Sequence, residues 1–542
     1  MLRNKISKLF FLAILATAGF VRLFQLSSVP KSLYWEEVAL GYDAFSILQT
    51  GKDHHGNSWP VVAFESFGDW KPPGYFYALV PFIKLFGLTE LAIRLPSALA
   101  GIISIVLIFL ISQELLLQSK DEKIKKYLPF LAMILATVSP WGILFSRAAW
   151  EVNLATMLLL AGILLLFVWK RLVFSNSKIK SVIPLAFACL LFVASMYTYH
   201  STRVISPSLA LVLLSWFFFT HQQQVFKRAK TIIWQLISVG TLTLILLLPL
   251  LFSLTNKITT QRFAETSLFS DQSEILFSNQ MKEIDDSWST KLESHRYYLY
   301  SKKVLANFFS HLSLDFLFNS GDKNPRHSVQ FFGQMYYLDI ALILLGAFYL
   351  LKEKRNLAVF IFLWIVICLI PASLTLATPH GLRILPAWPA LIILVAFGWY
   401  YLVNIIQRVL PNKFFGLILT ILMIGYFSQF AFFLDYYFSR YVQKTSSEWQ
   451  YGYKEMLLKV KEASAQHPDK NIYISRDVGR PAMYYWFYFK TDPREVQQAN
   501  ANVKKDQGEF LEFKNVVFSK TGQKENVIVA DYVDGAWSVD VY

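Results

Sequence analysis

The residues best suited to chemistry are a pair of adjacent carboxylates and a set of cations spread along the chain. Glu36 and Glu37 close the run Pro30-Lys31-Ser32-Leu33-Tyr34-Trp35-Glu36-Glu37, and Glu151 ends Ser146-Arg147-Ala148-Ala149-Trp150-Glu151. Such a carboxylate can act as general base on an attacking hydroxyl while nearby cations stabilise a departing anion. Two acids at a helix start also complement the helix dipole, with Ser32 as the cap, so both readings stay open for the pair. The cations are Lys71 in Asp69-Trp70-Lys71-Pro72-Pro73, Arg94, Arg147, Arg203 in His200-Ser201-Thr202-Arg203, and Arg383 in His380-Gly381-Leu382-Arg383. Arginine's planar fork suits phosphate, and lysine adds a point charge. His200/Arg203 and His380/Arg383 are spaced i, i+3, and Arg147/Glu151 i, i+4, so each pair could share a helical face. Each cation alone is equally explained by snorkelling or by contact with ordinary phospholipid. No His/Cys/Asp/Glu group has zinc spacing, and neither a Walker loop nor a dinucleotide fingerprint occurs. A divalent metal is compatible with an acidic phosphate site, but no ligand set stands out, so no metal ligand and no cofactor is assigned.

The elements that must position these residues are membrane helices. Of 542 residues, 55% are hydrophobic, 16% aromatic and only 16% charged, against about 25% charged in soluble domains. This excludes an ordinary cytosolic enzyme. The net charge of +15 is spread through short segments between apolar runs, which argues against nucleic acid as a partner. Cys189 and Cys368 lie inside apolar runs, so no disulfide framework exists. With roughly 20 apolar residues needed per span, the sequence predicts about eleven spans. They lie near 8–27, 89–114, 127–146, 152–169, 181–199, 204–220, 231–254, 336–351, 356–377, 382–403 and 414–436. Residues 36–50 and 73–87 read as interfacial helices. Ala16-Thr17-Ala18 looks like a signal-peptide cleavage site, but the apolar run continues to Leu26, which favours a span.

Basic residues recur in every second connection: Arg3/Lys5/Lys8, Lys120/Lys123/Lys125/Lys126, Lys170/Arg171/Lys178/Lys180, Lys227/Arg228/Lys230, Lys352/Lys354/Arg355 and Arg408/Lys413. The positive-inside rule then predicts a cytoplasmic N-terminus and an outer C-terminal tail. Two long loops, 28–88 and 255–335, fall on the outer side, as do the acids and cations above. The tail reads as a small α/β domain, with a polar helix near 447–465, strands at Asn471–Ser475, Asn515–Ser519 and Asn526–Ala530, and an aromatic helix at Arg480–Phe489. The expected division is 1–440 for the membrane domain and 441–542 for the tail.

Several segments, in order, resemble a known group. They are Leu33-Tyr34-Trp35-Glu36-Glu37, Thr50-Gly51-Lys52-Asp53, Lys71-Pro72-Pro73, and Val80-Pro81 with Leu85-Phe86-Gly87. Arg94-Leu95-Pro96-Ser97, Ser146-Arg147, Tyr199-His200 with Arg203, and Pro379-His380 with Arg383 continue the series. Together they resemble the GT-C membrane glycosyltransferases, specifically glycosyltransferase family 39 with its bacterial relatives, the protein O-mannosyltransferases and lipid A aminoarabinose transferases. The resemblance runs from about Pro30 to Tyr436. It implies transfer of a sugar from a polyprenyl-phosphate donor to a lipid, glycan or protein acceptor on the outer face of a bacterial plasma membrane; composition alone would also allow the endoplasmic reticulum. The family's catalytic carboxylate is usually the Asp of an Asp-Glu pair, and the matching position here is Glu36, with Glu37 matching the Glu. The extra methylene displaces the carboxylate by roughly 1 Å, an error that can cost about 10²-fold in rate unless the pocket compensates. Lys71 matches the lysine linked to the donor's phosphate. Arg147, Arg203 and Arg383 match less tightly, as phosphate or sugar contacts, and Arg94, His200 and His380 join them as donor-binding candidates. Phe316-Leu317-Phe318 through Gly321-Asp322-Lys323, Arg326 and His327 resembles a bacterial subgroup and is assigned to the outer cavity. Arg480, Tyr484 and Tyr485 either meet the acceptor or form an aromatic core.

Two other classes compete. A transporter or flippase for a polyprenyl-linked glycan would show midplane charges, broken helices and an internal repeat, and the spans show almost no central charge and no repeat. A catalytically retired glycan-binding membrane protein would not need Glu36, Lys71 and the outer arginines.

Overall fold

The computed structural model describes residues 5–175, 178–253, 255, 265–285, 287–519 and 525–542. Arg3, the side chain of Lys178 and part of the 255–335 loop lie outside these. Each expected apolar run coincides with a helix over most of its described length. Eight of the described helices are long and apolar enough to cross a membrane: Lys5–Leu23, Glu90–Leu116, Glu151–Phe174, Thr202–Thr220, Gln222–Ser253, Arg355–Ser373, Leu385–Val409 and Lys413–Lys444. A ninth span arises if Glu122–Val138 and Pro140–Ser146 count as one, bent by 57° where Ser139 precedes Pro140. The remaining two expected spans are shorter: Lys180–Met196 and the 16-residue Leu338–Glu353, which begins beside Asp339 and ends in Lys352 and Glu353. Multiple apolar helices of this kind make the chain a multi-pass membrane protein. The stretches expected to be interfacial are the helices Trp35–Thr50 and Gly74–Phe86.

The chain folds into two compact units. The first comprises Met1–Arg22, Ala100–Ser146 and Val152–Asp435; the second comprises Leu23–Leu99, Arg147–Glu151 and Tyr436–Tyr542. In the first unit, the helices Leu338–Glu353 and Trp388–Val409 cross at two glycines. A Cβ on Gly398 would lie 1.9 Å from the Leu342 carbonyl oxygen, and one on Gly346 would lie 2.2 Å from that of Leu394. Backbone meets backbone there, as at small-residue crossings of membrane helices. Gly398→Val is therefore expected to destabilise the unit by about 1–3 kcal/mol; a melting temperature in detergent equal to wild type would contradict this.

In the second unit, the tail carries a five-stranded sheet in the order Glu512–Phe513, Val516–Val517, Asn471–Ile474, Val527–Val533, Ala536–Val541. The central strand runs parallel to both neighbours, pairing Ile472 with Val516 and with Ile528, and the two edge pairs are antiparallel. Ile472, Ile474 and Val527 through Ala530 are buried. They pack under the helix Tyr453–Gln466, which lies close to the expected 447–465, and near Pro481–Phe489, whose Pro481 sits in the first turn. The edge strands Glu512–Phe513 and Ala536–Val541 are additions to the expected set. Tyr484 lies flat on Tyr453, rings 4.1 Å apart and 3° from parallel, and Tyr485 stacks on Phe489. These tyrosines form the aromatic core.

Candidate active site

The site is built on an irregular segment, residues 24–34, that leads into the helix Trp35–Thr50. Irregular backbone leaves carbonyl groups without partners, and buried ones must find donors. Two fully buried arginines supply them. Arg94 donates from Nη1 to the carbonyls of Leu26 (3.2 Å) and Pro30 (2.8 Å) and from Nη2 to that of Ser32 (2.5 Å). Arg147 donates from Nη2 to the carbonyls of Phe24 (2.7 Å) and Val29 (3.2 Å) and lies over the Tyr437 and Phe438 rings. Both guanidinium groups are engaged within the protein itself, chiefly by its backbone.

Glu37 completes this framework. Its Oε1 accepts from Arg94 Nε (3.1 Å) and the Ala149 amide (2.9 Å), and its Oε2 from Arg94 Nη2 (3.2 Å) and the Tyr34 amide (3.0 Å). Four donors, two of them charged, hold one buried carboxylate in place. The residue before the helix is Tyr34, not Ser32, whose hydroxyl donates instead to the Leu33 carbonyl. From the tail, Gln450 Oε1 accepts from the Trp35 amide (2.9 Å), and the Tyr484 hydroxyl donates to the Leu33 carbonyl (2.7 Å) and contacts Gln450. The far end of the helix closes on Gly51, whose φ of +69° only glycine adopts without strain. Gln497 ties that end to the tail by donating to Ser46, Thr50 and Asp53.

Glu36 is the carboxylate left over. It stands one position before Glu37 on the first turn, with its side chain 27% exposed, and forms an ion pair with Lys71. Lys71 ends the strand Asp69–Lys71, which pairs antiparallel with Phe64–Ser66 in the register Phe64↔Lys71. Burial pulls its ammonium below the usual lysine range, and the charge of Glu151 opposes that shift. Glu36 and Lys71 thus form a direct acid–base pair, on which Glu151 acts through its charge. Arg147 lies in a bend before the helix that Glu151 opens, so the two do not share a helical face.

The other expected residues lie in the first unit. Arg203 is in the first turn of Thr202–Thr220, its Nε donates weakly to the Met196 carbonyl (3.5 Å), and its Nη2 is buried without a hydrogen-bond partner among the described residues. His200 precedes that helix in a turn, half-buried. His380 and Arg383 occupy a turn segment rather than a helix. Arg383 donates to the Thr375 hydroxyl (2.5 Å) and the Ala377 carbonyl (3.2 Å), while His380 lies beside Asp322 and His327.

No protein-family model and no curated protein matches the chain. Solved structures do. ArnT from Cupriavidus metallidurans bound to undecaprenyl phosphate aligns over 96% of this chain and 92% of its own, with TM-score 0.53 and 14% identity. The apo state of the same protein aligns over 97% and 93%, with TM-score 0.53 and 12% identity. The archaeal oligosaccharyltransferase AglB from Archaeoglobus fulgidus, in complex with an inhibitory peptide and a dolichol-phosphate, aligns over 90% of this chain and 64% of its own, with TM-score 0.52 and 10% identity. The fold is GT-C. Glu36, in the first turn of Trp35–Thr50, and Lys71, at the end of Asp69–Lys71, meet within the segment 28–88. The sequence did not reveal Gln450, and it offered Tyr484 only as an acceptor contact or core residue; both support the same loop from more than 400 residues away.

Proposed function

We propose that this chain is a glycosyltransferase that moves a sugar from a polyprenyl-phosphate donor to an acceptor hydroxyl or amine of a lipid, glycan or protein. The observation that carries the reading is the Glu36–Lys71 pair, a carboxylate and an ammonium held together on a buried framework. The solved structures of the same fold support it, since one holds undecaprenyl phosphate and another a dolichol-phosphate. Glu36 takes the acceptor's proton as the acceptor atom forms its bond to the anomeric carbon. The bond from that carbon to the phosphate oxygen breaks, and its electron pair stays on the phosphate. Lys71 exchanges its partner from Glu36 to this phosphate, which frees the carboxylate to act as base and neutralises the leaving group. The charge of Glu151 opposes the loss of the ammonium's proton that burial favours at Lys71. Glu37, Arg94 and Arg147 are positioning residues. His200, Arg203, His380 and Arg383 enter as candidates for the donor's phosphate or sugar. The reaction is assigned to the outer face, with a cytoplasmic N-terminus, on the alternation of basic connections, and to a bacterial plasma membrane on the family resemblance.

Transfer of label from a sugar-labelled polyprenyl-phosphate donor to envelope lipids, glycans or proteins tests the reading in nanodiscs. Lys71→Met is expected to raise the donor concentration needed for half-maximal rate by 10-fold or more, since charge-assisted phosphate contacts contribute about 1.5–3 kcal/mol. An unchanged donor dependence would remove Lys71 from the mechanism.

A further inference from the structure

In the first unit, two loops bring together three side chains whose donor atoms lie within 4.8 Å of one another: Asp322, His327 and His380. We propose that they form a binding site for a divalent cation of the zinc class. Asp322 Oδ2 is 3.2 Å from His327 Nδ1 and 3.6 Å from His380 Nδ1. Ligand atoms at about 2.0–2.1 Å from a tetrahedral zinc are roughly 3.3 Å apart, so two edges of the donor triangle already have the size that the metal requires.

Hydrogen bonding accounts for only part of this arrangement. His327 Nδ1 is within hydrogen-bond distance of the carboxylate, but His380 Nδ1 is too far, and it is buried without a hydrogen-bond partner among the described residues. The carboxylate is meanwhile fixed from behind. The Gly381 amide donates to Oδ2 (2.7 Å) and the Asn324 amide to Oδ1 (2.9 Å). The loops are anchored as well: Trp141 Nε1 donates to the Gly381 carbonyl (3.2 Å) and Gln334 Nε2 to the His327 carbonyl (3.2 Å). Groups that orient the ligands without binding the ion are a recurrent part of metal sites. Two imidazoles and one carboxylate favour zinc over magnesium or calcium, which prefer all-oxygen shells. Three protein ligands leave a fourth position for water or an anion's oxygen. The proposal assigns His380 to the cation rather than to the sugar donor, and its test reads metal content and stability, not sugar transfer.

The test uses the full chain in detergent, stripped with chelator, then dialysed against micromolar zinc chloride. One zinc per chain is expected in wild type, with cobalt(II) giving the intense visible absorption of a four-coordinate site. His380→Gln should weaken zinc binding by about 100-fold and remove the zinc-dependent rise in melting temperature. Its metal-free melting temperature should equal that of wild type, because the His380 Nδ1 has no hydrogen bond to lose, and this separates a lost ligand from a misfolded loop. His327→Gln should weaken zinc to a similar degree. Folded wild type that retains no zinc would overturn the proposal, as would equal zinc binding by both variants, or displacement of zinc by millimolar magnesium.

Discussion

Glu36→Gln is expected to lower sugar transfer by about 10²–10⁴-fold, the range for loss of a positioned general base, while leaving the protein folded. The amide keeps the side chain's shape and can still accept a hydrogen bond from Lys71, but it cannot take a proton. Folding does not depend on the lost charge. The buried framework around residues 24–37 is held by Arg94, Arg147 and Glu37, none of which uses Glu36. The complementary change, Glu36→Asp, shortens the reach by one methylene and tests whether the pocket is built around the longer side chain. If it is, the rate falls by about 10²-fold. Equal turnover by wild type and Glu36→Gln would place the base elsewhere, with Glu151 the next acidic candidate.

The second large effect is on stability. Arg94→Met should destabilise the second unit by about 3–5 kcal/mol, as expected when one partner of a buried ion pair is removed. The cost has two parts. Glu37 would keep a buried negative charge with only the Tyr34 and Ala149 amides to satisfy it. The carbonyls of Leu26, Pro30 and Ser32 would lose their donor. Arg94→Lys should not rescue the fold, because an ammonium cannot span three carbonyls and a carboxylate as a guanidinium fork does. Thermal unfolding in detergent reads the effect, and a loss below about 1 kcal/mol would mean that the Glu37–Arg94 pair is not what holds the loop. Arg94→Met combined with Glu37→Gln should cost less than the two single changes together, since no unpaired charge remains.

Much of the fold was legible because membrane helices carry a strong signal: long apolar runs punctuated by basic connections. Lengths were less legible, since the break at Ser139-Pro140 and the charged ends of Leu338–Glu353 shorten elements without interrupting the apolar pattern. Residue type alone offered Glu36 as one of two adjacent acids and Lys71 as one of several cations, and it was the family resemblance that singled out these two. Where the donors of Arg94 and Arg147 go could not be read, since their partners are backbone carbonyls, and a carbonyl leaves no trace in residue type. Nor could the support from Gln450, which reaches Trp35 across 415 positions. The Asp322, His327 and His380 group escaped for a related reason: Asp322 and Gly381 meet across 59 positions, and local spacing says nothing about two loops that converge.

The central claim is that Glu36 and Lys71 serve the cleavage of a glycosyl–phosphate bond. Release of free polyprenyl phosphate tests it most directly, measured with purified wild type, a panel of polyprenyl-phosphate sugars and a crude envelope extract as acceptor source. The account predicts release from at least one donor, dependent on acceptor and lost in Glu36→Gln. Folded wild type that releases none from any donor in the panel, or release that persists in Glu36→Gln, would contradict it.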